Sequence, residues 1–252
     1  MEETVNKNES YRPQAEEFPL KKQLLLFGVG WMGFKIIGAV LEIIFVLGFM
    51  ISDPNVVIKD IFRDVAVTTA LNSLAYAGIL IAMIFISNVD FKKFKNSATK
   101  WQSYLAGILG FVAIYLFTIF YQTFLEVIGA IVKDNSNEET VVSVANAYPI
   151  ISLIIVGFVA PICEELTYRV GLFGALSRKN KLMAYLVSIS VFALIHFTLD
   201  PTNIVNELLN IPYYFFAGFI LTYLYDRYGY AASVTTHILN NSFSQILRMI
   251  LK

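Results

Sequence analysis

The sequence predicts an all-α, polytopic membrane helix bundle of about seven transmembrane helices. Composition is the first ground: of 252 residues 57% are hydrophobic and 15% charged, with a mean hydropathy of +0.63. A soluble globular domain carries about 25% charged residues, so this chain is solvated mostly by something other than water. The second ground is the grouping of apolar residues into runs of about 20, the length that crosses a hydrocarbon core about 30 Å thick. The third is that the polar segments between runs are short and no repeat is visible, which makes one bundle rather than a string of domains.

The predicted spans are 24–50, 66–87, 104–132, 149–175, 182–199, 207–225 and 231–251. The sixth contains Pro212 and opens with polar residues, so it is expected as a shorter helix preceded by a re-entrant piece, tolerated where protein buries it. Residues 1–20 (MEETVNKNESYRPQAEEFPL) are polar and acidic, with no apolar stretch ending in a small-residue cleavage site. They read as a polar cytoplasmic tail ahead of a single transmembrane domain over 21–252.

Basic and acidic residues number 19 each, so the chain lacks the basic surface that nucleic-acid binding needs. The single cysteine, Cys163, excludes an internal disulfide and a multi-cysteine zinc site. Basic residues alternate across the loops. Lys21, Lys22, Lys92, Lys93, Lys95, Lys100, Arg178, Lys179, Lys181 and Arg227 stand on one side, ten in all, against Lys59, Arg63 and Lys133 on the other. The positive-inside rule then places the N-terminus in the cytoplasm of a cell membrane and, with seven spans, the C-terminus outside.

Ionisable residues inside a span are costly and point to function. The fourth span holds Pro161-Ile-Cys-Glu164-Glu165-Leu-Thr-Tyr-Arg169. At about 100° per residue Glu165 and Arg169 are neighbours one turn apart, whereas Glu164 points elsewhere and is left for other work. The blander reading, an ion pair gluing helices, leaves Glu164 idle. Both histidines of the chain also fall in spans: His196 ends Phe192-Ala-Leu-Ile-His196, and His237 opens His237-Ile-Leu-Asn-Asn241. A lone intramembrane histidine is more often a helix–helix hydrogen-bond partner. Measured from the cytoplasmic span ends, Glu165, His196 and His237 lie about 15, 21 and 9 Å deep at about 1.5 Å per residue, close to a common layer. Lys35 and Glu42 share one face of the first span, for packing or an aqueous entrance. Glu126 and Lys133 are placed to snorkel to the interface. Asn206 and Glu207 are candidates for the rim of the site.

Glu164-Glu165-x-x-x-Arg169, Phe192-x-x-x-His196 and His237-x-x-x-Asn241, in this order on successive late spans, resemble the signature of a known family. It is the CAAX prenyl protease type 2 and bacteriocin-processing (CPBP, or Abi) family of intramembrane glutamic endopeptidases. The resemblance covers about residues 150–251, which sets the expected catalytic core at about 149–251. It implies hydrolysis of a peptide bond in a membrane-associated peptide or protein through a glutamate-activated water. Glu164 would be the base, Glu165 and Arg169 would order the site, His196 would assist the water, and His237 and Asn241 would stabilise the oxyanion. Bacterial relatives are linked to bacteriocin maturation, self-immunity and peptide-signal processing. The Lys-, Asn-, Ile- and Phe-rich chain looks bacterial, which argues against a prenylated substrate.

The chemistry is sound apart from the resemblance. Amide hydrolysis needs a base near neutral pKa and donors aimed at the developing oxyanion, and a desolvated glutamate beside a second carboxylate is a credible base. No cofactor is expected. Zinc on Glu164, Glu165, His196 and His237 is the main rival, but the His-Glu-x-x-His spacing that sets two ligands on one helix face is absent. Two further alternatives are a non-catalytic bacteriocin-immunity or partner-binding protein and a small proton-coupled transporter.

Overall fold

A computed structural model describes residues 18–53, 55, 57–87, 91–130 and 133–251; the predicted tail lies outside them up to residue 17. Every regular element among these residues is helical. Apolar runs form the long helices α1 (Leu20–Ser52), α3 (Val65–Ser87) and α5 (Trp101–Val127), with the short α2 (Ile58–Ile61) and the lysine-bearing α4 (Phe91–Ala98) between them. There follow α6 (Ser136–Ala147), α7 (Pro149–Ser177), α8 (Lys181–Leu194), α9 (Ile204–Tyr228) and α10 (Tyr230–Ile250).

The chain is a multi-pass membrane protein, and five helices rather than seven are long and apolar enough to span among the described residues: α1, α3, α5, α7 and α9. Two predicted spans fall short for different reasons. The fifth stops at Leu194, and its 14 residues reach only about 21 Å at about 1.5 Å each. The seventh is a 21-residue helix, but His237, Asn240, Asn241, Ser242, Ser244 and Gln245 make it too polar to qualify. The sixth is corrected the other way, since α9 runs unbroken through Pro212. The Tyr121 hydroxyl donates to Leu209 O at 2.9 Å, beside the carbonyl that a proline leaves without its usual donor. The third ends at Val127, five residues early, and Gly129 (φ 76°) turns the chain away.

The loop expected after it contains α6. Asn135 caps this helix by accepting from Glu138 N at 2.8 Å, an Asn-x-x-Glu pattern resembling a capping box.

Close packing concentrates where α5, α7 and α10 begin or end beside the basic loops. A Cβ added at Gly107 would lie 2.9 Å from Thr235 Cβ, and one at Gly110 would lie 2.4 Å from Leu224 Cδ1. At Gly171 it would meet Phe27 N at 2.8 Å, and at Gly174 Gln23 Nε2 at 2.5 Å. Small residues let transmembrane helix backbones approach, and dispersion between them replaces the missing hydrophobic drive. Phe18 is buried against Phe94, so the last part of the predicted tail packs into the bundle.

Candidate active site

Pro161 sits in the middle of α7 and has no N–H for the carbonyls behind it. Two side chains of α10 serve them instead: Ser242 Oγ donates to Gly157 O at 3.1 Å and Asn241 Nδ2 to Val156 O at 3.1 Å. Around this point α7 widens into π turns over Leu153–Val159 and Glu165–Phe173, shown by Ala160 N reaching Ile155 O and Gly174 N reaching Arg169 O. Such turns recur at functional sites because they re-aim side chains within a helix. Here they flank Glu164 and Glu165.

Glu165 is fully buried and fully engaged. Its Oε1 pairs with Arg169 Nη1 at 3.1 Å and with His237 Nδ1 at 2.9 Å, and its Oε2 accepts from Ser233 Oγ. Arg169 is buried as well, its guanidinium 4.2 Å above the Phe192 ring, a cation–π arrangement. A carboxylate beside Nδ1 sets that nitrogen as the donor, leaving His237 Nε2 to face the next group. That group is Glu164, whose Oε2 lies 3.8 Å from Nε2 and has no hydrogen-bond partner among the described residues. Tyr76 of α3 lies beside the Glu164 carboxyl group and lines the same cavity.

His196 lies just past the end of α8, in a turn rather than inside a span. Its Nδ1 is 2.8 Å from Phe192 O; a carbonyl only accepts, so Nδ1 carries the proton and Nε2 keeps its lone pair. The ring stacks on Tyr214 at 4.3 Å, and Asn135 Nδ2 bridges His196 O and Tyr214 Oη at 3.3 Å each. Phe192 lies 5.0 Å from the His196 ring and 5.9 Å from the His237 ring, so one aromatic spaces both.

These groups meet at a cavity of about 1000 Å³ whose walls include Glu164, His196, His237 and Asn241. Glu165 and Arg169 stand behind that wall. All six predicted site residues are therefore in one region, with Asn241 held at least in part by its bond to α7. Ser233, Tyr76, Tyr214 and Asn135 were not singled out from sequence. Ser233 alone carried a signal, standing one helical turn before His237 on the same face.

The remaining polar residues divide. Lys35 lines the cavity, its Nζ 5.7 Å from the Trp31 ring, whereas Glu42 is exposed elsewhere on α1. Glu126 and Lys133 are exposed near the end of α5. Glu207 is buried as a staple: it accepts from Ser136 N and Oγ at 2.8 Å and from Thr198 N at 2.9 Å. Asn206 Oδ1 accepts from Lys133 N at 3.3 Å. Together they tie the loops around α6 to α9. Among the described residues no group of three or more His, Cys, Asp or Glu side chains is arranged to hold a metal ion.

Residues 146–243 match a family model described as Rce1-like, "Type II CAAX prenyl endopeptidase Rce1-like". This part of the chain is a CAAX-protease-like membrane domain. The match spans the π turns, both histidines and Asn241, the same elements that line the cavity. UPF0177 protein YvdC of Lactococcus lactis subsp. lactis (strain IL1403) is 26% identical over 208 residues, 81% of this chain and 77% of that protein. UPF0177 protein YxdF of the same strain is 27% identical over 168 residues, 66% of this chain and 89% of that protein. The putative membrane peptidase YdiL of Bacillus subtilis (strain 168) is 27% identical over 145 residues, 57% of this chain and half of that protein. No solved structure matches the chain.

Proposed function

We propose that the chain is an intramembrane endopeptidase of the CPBP (Abi) type, acting in a bacterial cell membrane on a membrane-associated peptide or protein. The observation that carries the reading is the division of labour between adjacent carboxylates. Glu165 is consumed by Arg169, His237 and Ser233, while Glu164 offers an oxygen without a hydrogen-bond partner among the described residues, beside the His237 imidazole and on a cavity wall that His196 shares. The match over residues 146–243 and the likeness to a putative membrane peptidase support it.

In this mechanism Glu164 takes a proton from a water molecule that His196 Nε2 helps to orient. The water oxygen bonds to the peptide carbonyl carbon, and the carbonyl electron pair moves onto oxygen. His237 and Asn241 stabilise that oxyanion, with the second Asn241 amide hydrogen left for substrate while the first holds Val156 O. With Nδ1–H committed to Glu165, His237 donates from Nε2 only as the imidazolium. Collapse of the intermediate breaks the C–N bond, and Glu164 returns its proton to the leaving amine. Glu165 and Arg169 act through His237 and are positioning residues. A bacteriocin, a signal peptide or another secreted peptide precursor is the class of substrate we assign.

The test compares membrane and secreted peptides from cells making the native protein with those from cells making Glu164→Gln at equal abundance. Cleaved termini present with the native protein and missing with the variant are expected. Identical peptide sets would remove the hydrolase reading and favour a binding role on the same scaffold.

A further inference from the structure

One charged group on the cavity wall has no part in the hydrolytic scheme. Lys35 lines the cavity from α1 and is exposed rather than packed. It stands near the middle of that helix, 15 residues after Leu20 and 17 before Ser52. At about 1.5 Å per residue the two ends are about 22 and about 26 Å away, too far for the side chain to snorkel to either. An ammonium at that depth is costly unless water or an anion meets it.

The wall supplies no anion. Among the described residues Lys35 has no hydrogen bond or ion pair, and its Nζ lies 5.7 Å from the Trp31 ring. The arginine on the same wall, Arg248, is already paired with Glu138. Helix α3 adds neutral donors. Phe34, next to Lys35, packs against Tyr76 with ring centroids 5.0 Å apart. One turn from Tyr76 on the same face, Asn72 and Ser73 also line the cavity. Neither has a side-chain hydrogen bond among the described residues. Depth brings this group close to the catalytic layer. Gly30, beside Trp31, is pressed onto α7, where an added Cβ would lie 1.8 Å from Thr167 Oγ1. Thr167 stands between Glu165 and Arg169.

We infer that Lys35, with Asn72 and Ser73, forms an anion subsite of the cavity that holds a carboxylate of the substrate peptide. A phospholipid headgroup lies at the interface and does not reach the middle of α1. The ordinary anions of a peptide are its Asp and Glu side chains and its C-terminus, and all three are carboxylates. Lysine meets such a group as a compact point charge, and the amide and hydroxyl of α3 give it direction. The peptide as occupant rests on the hydrolase reading; the preference for an anion does not.

Trp31 is the reporter for the test. In a Trp101→Phe background it is the sole tryptophan of the chain. Three probes are titrated against the full-length protein in nonionic detergent. Octanoyl-Leu-Ala-Asp-amide carries a side-chain carboxylate, octanoyl-Leu-Ala-Asn a terminal one, and octanoyl-Leu-Ala-Asn-amide none. At least one carboxylate probe is expected to change Trp31 emission at a concentration about tenfold or more below the neutral probe. Which of the two does so separates side chain from terminus. Lys35→Met is expected to erase the difference and Lys35→Arg to keep it. Equal responses to all three probes, or a preference that survives in Lys35→Met, overturn the subsite.

Kinetics test the occupant. Among peptides whose cleavage depends on Glu164, Lys35→Met is expected to raise KM about tenfold for carboxylate forms, with kcat near native. KM for their amide counterparts should stay unchanged. An unchanged KM for the carboxylate forms overturns the role in substrate binding. Anion preference at Trp31 without any Glu164-dependent cleavage counts against the hydrolase reading alone.

Discussion

The two ends of this bundle are built on opposite plans. Beside the basic loops, glycines bring helix backbones together and polar side chains are paired across short distances. Beside α6 the same helices stand apart around a cavity of about 1000 Å³, and hydrogen bonds rather than dispersion hold the walls. Interiors are normally close-packed, and a lost contact is a lost stabilisation. The hollow end therefore depends on the packed end for stability and is free to keep groups such as Glu164 incompletely satisfied. The comparison makes a rule: substitutions in the packed end should move stability first, and substitutions on the cavity wall should move turnover first.

Arg169 lies at the boundary and gives the largest expected change in stability. Arg169→Ala leaves Glu165 and His237 without their buried cation, and breaking such a pair typically costs about 3–5 kcal/mol. Thermal unfolding in detergent should show a strongly lowered midpoint with activity lost alongside. A normal midpoint would mean that Glu165 is balanced by something other than this pair.

Gly171→Ala comes next. The added methyl would meet Phe27 N at 2.8 Å and Gln23 O at 3.1 Å, both backbone atoms that cannot swing aside. Overpacking of this kind costs about 1–3 kcal/mol. The midpoint should fall while turnover per folded molecule, measured below that temperature, stays near native. A fall in turnover without a fall in midpoint would break the comparison.

Tyr121→Phe is the smallest. It removes the bond to Leu209 O beside Pro212, and a hydrogen bond is worth a net of about 0.5–1.5 kcal/mol. A small shift in midpoint is expected. A loss approaching that of Arg169→Ala would show that α9 needs Tyr121 to remain continuous through Pro212.

These contrasts also show what could be read in advance. Charges in apolar runs stand out against their cost, so Glu164, Glu165, Arg169, His196 and His237 were visible as a group from residue type and spacing. The Glu165–Arg169 pair survives the π turn because residues four apart stay close on either helix type. The carbonyls that Pro161 leaves for Asn241 and Ser242 depend on two helices meeting, which no local pattern records. Tyr76, Tyr214 and Asn135 were hidden for the same reason, being ordinary residues until tertiary contact gives them partners. The count of seven spans is left unconfirmed on a different point. α8 and α10 are helices as expected, but one is too short and the other too polar to span by length and composition. The cap at Asn135 and Glu138 was written in the sequence and announces α6, where a loop had been expected.

The most direct measurement is paired turnover and thermal unfolding of purified Glu164→Gln and Glu165→Gln. The first keeps shape and hydrogen bonding but removes the base, and general-base catalysis contributes about 10²–10⁴-fold. The account predicts that Glu164→Gln loses at least about 10²-fold in turnover with an unchanged unfolding midpoint. Glu165→Gln should lower the midpoint and lose turnover only in part. Near-native turnover in Glu164→Gln would contradict its role as base, and near-native turnover in both variants would end the glutamate-dependent mechanism.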